Sequence, residues 1–171
     1  VTVGTVSISW FDALRAVVGS SSTSQIDTIL FDIRLPRILL AIFVGAVLAS
    51  TGAVMQGLFR NPLADPSLIG VSSGASVGAS LMIVTAGGFI QGGALVGLSL
   101  VSIGAFVGGF TATLLVYRLA TSGMGTSVTT MLLAGIAIGA LAGALNSLLS
   151  YFSDNDMLRQ ISLWQMGNLR G

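Results

Sequence analysis

From Ile38 to Phe59 the chain runs 22 residues without a charge, and three more apolar stretches follow it. Bilayer hydrocarbon takes roughly 20 apolar residues to cross as helix. The reading is four transmembrane helices, over about 37–59, 67–89, 93–119 and 127–152, joined by short loops. Charged residues make up 8% of the chain and the mean hydropathy is +0.95, whereas a soluble domain carries about 25% charged residues. So few charges cannot cover a surface facing water. The expected fold class is all-α: a polytopic transmembrane helix bundle in contact with a lipid bilayer.

The spans are flanked by segments too polar to cross. Residues 1–36 read as an amphipathic external segment. Ser9 and Asp12 suggest a capping-box-like helix start, and Trp10 and Phe11 suit the membrane interface. Pro36 falls at or near the first turn of the first span, where its missing N–H costs least. Residues 153–171 read as an external loop with a short surface helix over Asp154–Gly167, anchored by Trp164. Four spans put both ends on one side. Val1 and the closing NLRG read as cuts in a longer protein.

Glycine accounts for 23 of 171 residues. In membrane helices small residues four apart let two backbones approach closely. The spacing recurs at Gly70, Gly74 and Gly78, at Gly104 and Gly108, and at Gly135, Gly139 and Gly143. These are the expected helix-packing positions.

All seven basic residues are Arg, all six acidic residues are Asp, and Cys and His are absent. That removes disulfides and His- or Cys-based metal sites and catalysis within these residues. The net charge of +1 provides no basic field for nucleic acid. There is no GxxxxGK[ST] phosphate loop, no metal site is expected, and no cofactor is expected in this chain. The spans hold hydroxyls and amides, among them Gln56, Ser76, Ser80, Thr111 and Asn146, but essentially no ionisable group. Intramembrane charge marks ion paths, proton relays and voltage sensors, so its absence argues against those classes. The polar groups then serve as interhelical glue or as the wall of an uncharged conduit.

Two clusters stand out. RNPLADP, Arg60–Pro66, is a tight turn in which Asn-Pro and Asp-Pro stop and restart helices. Asp65 there suits the positive end of the following helix dipole. Arg34 and Arg37 flank Leu35-Pro36 at the mouth of the first span. They read as interfacial arginines, or as a patch for an acidic partner surface through bidentate guanidinium–carboxylate pairs.

IRLPR, then GAVLASTGAVMQGLFRNPLADPSLIGVSSGA, then MLLAGIAIGALAGAL, resembles the FecCD-type permeases. These are membrane subunits of bacterial ABC importers for haem, iron–siderophores and vitamin B12. The resemblance runs along nearly the whole chain and is most specific over Arg34–Gly78. It implies helices 2 to 5 of a ten-helix permease in the inner membrane. It also implies a second copy of the permease, two ATP-binding subunits carrying ATP and Mg, and a soluble substrate-binding protein. Arg34 and Arg37 would grip the binding protein. Asn61 and Leu63 would form a cytoplasmic gate, with Ser127, Thr129 and Thr130 in the neighbouring gate region. The chain itself would be no enzyme. The expected substrate is haem or an iron–siderophore. The alternatives are vitamin B12 in the same family, or a structural bundle with no transport path. A passive channel would need a charged or carbonyl filter, and none is found. The arginine bias of the loops points the ends inward, whereas the resemblance places them outside; the resemblance is followed here.

Overall fold

The structure, a computed structural model, describes residues 28–90, 94–123 and 125–167, with Ser9 and Phe11. Most of the helix start expected near Ser9–Asp12 lies outside the described residues; within it, the Phe11 N–H donates to Ser9 Oγ at 3.3 Å. A π-helical stretch, Thr28–Arg34, leads into α1 (Leu35–Phe59). A 3-10 turn, Pro66–Ile69, precedes α2 (Val71–Ile90). Then come α3 (Ala94–Ala120), a two-stranded ribbon of β1 (Thr121–Ser122) and β2 (Gly125–Thr126), α4 (Val128–Tyr151) and α5 (Asn155–Met166). The ribbon is antiparallel and pairs Thr121 with Thr126. The helical bundle expected from hydropathy is the architecture observed.

Three stretches are long and apolar enough to cross a membrane, Thr28–Phe59, Ser99–Ala120 and Val128–Tyr151, and α2 carries a shorter apolar stretch, Val71–Ala86. Two boundaries differ from those read off the sequence. The α-helix starts at Leu35, so Pro36 does fall in its first turn, but winding begins earlier, at Thr28, in π form. Pro36 lacks an N–H, a loss that costs least in the first turn of an α-helix. The second span starts as a 3-10 turn, and its α-helix begins only at Val71.

The chain divides into two compact units within α1, between Ser50 and Thr51. In the first, Leu30 is buried while Leu39, Ile42, Phe43 and Val47 present their side chains outward. That is the expected state for helix surfaces that meet lipid rather than water.

The second unit is built on a seam between α2 and α3. A Cβ placed on Gly78 would run into the carbonyl of Gly104, and one on Gly74 into that of Gly108; the reverse substitutions meet Met82 and Gly78, and Gly74. The two backbones therefore touch at two levels, one helical turn apart. Beside this contact Ala79, Ile83 and Val101 are buried together with Ile161 of α5, which Met82, Met157 and Ala105 border. Helix α5 is amphipathic: it buries Ile161 and leaves Asp156, Arg159 and Gln160 exposed. It is started by Asp154, whose carboxylate accepts from the Met157 N–H at 2.8 Å.

The stripe on α4 is packed unevenly. Gly135 lies against the Leu68 carbonyl of the 3-10 turn, Gly139 would bring a Cβ to 3.5 Å from Ser73 Oγ, and Gly143 has nothing within 4 Å. Gly70 is not part of a helical stripe. It caps the 3-10 turn at φ 78°, in the left-handed region, and its N–H donates to Ser67 O at 2.9 Å. Its role is conformational.

Candidate functional site

Two connections meet at one end of the second unit. The first begins where α1 stops. Arg60 takes φ 48°, its N–H donates to Gly57 O at 3.3 Å, and the Asn61 N–H donates to Gln56 O at 3.2 Å. This paired arrangement is a Schellman stop, usually built with glycine at the left-handed position. Arg60 holds it at a cost of about 1 kcal/mol relative to glycine, set by the Cβ clash.

Asn61 then turns the chain. Its Oδ1 accepts from the Leu63 N–H at 3.0 Å and its own carbonyl from the Ala64 N–H at 3.1 Å. Ala64 is buried, whereas Leu63 is 86% exposed at the tip. Asp65 closes the hairpin. Its Oδ1 accepts from the Ser67 N–H at 2.8 Å, its carbonyl from the Leu68 N–H at 3.1 Å, and Pro66 follows at the head of the 3-10 turn. The side chain and the backbone N–H of Ser67 hold the Asp65 carboxyl below its usual range, against a small opposing desolvation. Every polar side chain of the loop interior is thus spent on local geometry, and the product is one leucine held out from a stiff hairpin.

The second connection joins α3 to α4. Thr121 and Thr126 hydroxyls meet at 3.0 Å across the ribbon, and the Ser127 N–H donates to Ala120 O at 2.9 Å. Ser127 caps α4: its Oγ accepts from the Thr130 N–H at 3.3 Å and from the Thr130 hydroxyl at 3.0 Å. Thr129 is exposed. The two connections are pinned together by an apolar cluster of Val116, Ala120 and Met131, against which Phe59 and Ile69 pack. Asn61, Leu63, Ser127, Thr129 and Thr130 therefore share one end, around a common apolar base.

Arg34 and Arg37 lie in the first unit. Arg34 ends the π stretch, half-buried, and Arg37 is exposed in the first turn of α1. A separation of three residues puts them near one face.

An apolar groove of about 370 Å³ runs along the seam, lined by residues of α2, α3 and α4 such as Leu81, Val107 and Leu141. Among the described residues no group of His, Cys, Asp or Glu could hold a metal. One polar constellation was not anticipated as a unit. Ser76 of α2 accepts from Asn146 Nδ2 of α4 at 3.0 Å and from Gln165 Nε2 of α5 at 3.2 Å. Ser76 and Asn146 were legible as polar points in apolar spans. Gln165 was not, because nothing in its surroundings in sequence tells which way α5 folds back.

Residues 1–171 match the FecCD transport family throughout. The chain belongs to the FecCD transport family. The hemin transport system permease protein HmuU of Yersinia pestis is 44% identical over 167 residues, covering 98% of this chain and 48% of that protein. The cobalamin import system permease protein BtuC of Halobacterium salinarum is also 44% identical, over 153 residues, covering 90% and 38%. A solved structure described as an inward-facing conformation of a metal-chelate type ABC transporter is similar at TM-score 0.75 and 36% identity, over 98% of this chain and 48% of that one. This FecCD chain thus spans about half the length, or less, of the curated relatives it matches. It is a multi-pass protein of the inner membrane with the helical fold of an ABC-transporter permease. Its relatives are named as transport permeases.

Proposed function

We propose that this FecCD chain is part of the membrane permease of an ATP-driven importer, and that it carries a haem or iron–siderophore chelate inward. The observation that carries the reading is continuous: 44% identity to a hemin permease along 98% of the chain, over apolar spans whose few charges, Asp32, Arg34, Arg37 and Arg118, stand toward their ends. Walls of hydroxyl, glycine and aliphatic surface bind a large chelate weakly, which suits passage rather than storage. Vitamin B12 is the second reading, favoured by an equal 44% identity to a cobalamin permease.

In this reading two permease copies face each other. Two partner subunits bind and hydrolyse ATP with Mg, a binding protein delivers the substrate, and the chain itself carries no catalytic group or cofactor. The connection from α4 to α5, Phe152–Asp154, lies on the receptor side of the membrane. Arg34 and Arg37 dock to carboxylates of the binding protein, because a guanidinium pairs with a carboxylate through two parallel bonds. Leu63 and the threonines 129 and 130 form the inner gate with their copies in the second permease. Asn61 and Ser127 position that gate rather than touch cargo, since their side chains are engaged with neighbouring backbone N–H groups.

The test uses the full-length permease assembled with its ATP-binding subunits in proteoliposomes. The cognate receptor is first titrated with haem, ferric siderophores and cobalamin; tight binding of cobalamin alone replaces the leading substrate with the second. Charge reversal at Arg34 and Arg37 together should reduce receptor-stimulated ATP hydrolysis by about tenfold or more, as expected when close interfacial charge pairs are broken. Unchanged stimulation would remove the docking role. Leu63→Ser should raise leakage of cargo or uncoupled ATP hydrolysis, whereas Asn61→Asp, which keeps the acceptor for the Leu63 N–H, should leave both near wild type.

A further inference from the structure

Helix α5 does not simply cover the ends of the spans. Ile161 packs with Ala79 and Ile83, and Gln165, one turn later, reaches back to Ser76. Helix α5 therefore runs antiparallel to α2 and descends beside it. Its last turn meets the same serine as Asn146, which lies five residues inside the end of α4 at Tyr151. At 1.5 Å per residue that is roughly 7 Å below the end of the span.

The three polar residues at this point are one bond short. A serine oxygen offers two lone pairs, and Ser76 Oγ spends both on Asn146 Nδ2 and Gln165 Nε2. Asn146 Oδ1 is buried and, among the described residues, accepts from nothing. Turning the Asn146 amide over only moves the deficit. The Ser76 hydroxyl would then donate to Oδ1, and Nδ2 would be the atom without a partner. A buried polar atom left unmatched in apolar surroundings is costly, so the set has reason to close in a second arrangement. The missing donor is near. Two donors sharing one acceptor at 3.0 and 3.2 Å lie within about 6 Å of each other. The Gln165 carboxamide also has a second N–H, and Gln165 stands on the last turn of a short helix with exposed neighbours.

We propose that Ser76, Asn146 and Gln165 form a two-position latch on α5. In the position seen, Gln165 is held on Ser76. In the other, α5 shifts toward α4 and Gln165 donates to Asn146 Oδ1. The latch sets where the re-entrant helix rests against the spans. It is a property of the three helices and does not depend on what the permease carries.

The test measures distance in the full-length permease in lipid nanodiscs, with native cysteines, if any, replaced, and without nucleotide, cargo or partner proteins. Nitroxide labels on Leu133→Cys of α4 and Gln160→Cys of α5 report the position of α5 by double electron–electron resonance. Two populations are expected. Ser76→Ala should enrich the arrangement with α5 nearer α4, and Asn146→Leu should deplete it, each changing the population ratio threefold or more and in opposite senses. A single population in the unsubstituted chain overturns the proposal, as do shifts of the same sense in both variants. If Asn146→Leu does not assemble, Gln165→Met decides instead. Removing the donor from both positions should leave α5 unlatched, so two resolved populations persisting in Gln165→Met overturn the latch.

Discussion

Two glycine stripes with the same spacing behave differently in this molecule. Gly74 and Gly78 of α2 meet Gly108 and Gly104 of α3 backbone to backbone, and every one of the four is filled against a neighbour. Along α4, Gly135 is filled, Gly139 is only near Ser73, and Gly143 faces open space. The residues around Gly143 agree, since Leu141 and Leu145 are exposed. Four-residue spacing makes a helix approachable. Which positions are approached depends on the partner, and α4 offers part of its stripe to nothing among the described residues.

That contrast can be broken most sharply at Gly78. Gly78→Ala would drive a Cβ into the Gly104 carbonyl, and backbone cannot rotate aside as a side chain can. The expected cost is about 1–3 kcal/mol, read as a lower midpoint in denaturant titration of the full-length permease in detergent. An unaltered midpoint would mean that the seam is loose. Gly135→Ala should cost a similar amount, about 1–3 kcal/mol, because its Cβ would likewise meet a backbone carbonyl, that of Leu68; the same titration compares the two. Gly143→Ala should be neutral or stabilising by up to about 1 kcal/mol, since alanine is the better helix former. A marked loss there would place another helix against the open part of the α4 stripe.

The smallest effect concerns the turn that fills Gly135. The Asp65 carboxylate accepts from Ser67 and holds that turn, with its pKa lowered in the folded chain. A lowered folded value means that the stabilisation is present above the ordinary carboxylate pKa of about 3.9 and fades as pH falls through the folded value. Protease nicking of the Arg60–Ile69 segment should therefore rise in that acid window. Asp65→Asn should abolish the pH dependence, and nicking that follows pH equally in both proteins would remove Asp65 as its cause.

Much of this was legible in the sequence because bilayer length is a coarse and strict rule. Apolar stretches read as ending at Phe59, Leu119 and Phe152 correspond to helices that end at Phe59, Ala120 and Tyr151, each within one residue. Boundaries failed where local chemistry outranked hydropathy. Winding begins upstream of Pro36 in π form, and Asp65-Pro66 imposes a 3-10 turn that ends at a left-handed Gly70. The site was legible in part. RNPLADP announced a turn, but the sequence did not say that Asn61 would face its own backbone and that Leu63 would stand free. The left-handed Arg60 was invisible because glycine is the residue that ordinarily marks such a stop. The Ser76–Asn146–Gln165 contact depends on a fold-back spanning 89 positions, and no periodicity encodes that.

The α2–α3 seam has a thermal corollary. Contact there is made by displacing acyl chains, not by releasing ordered water, so dispersion and short carbonyl contacts carry it. The heat-capacity signature that weakens water-driven association on cooling should be nearly absent between these two helices. Chilling that loosens a soluble assembly should leave this pair as tightly joined as it is in the warmth.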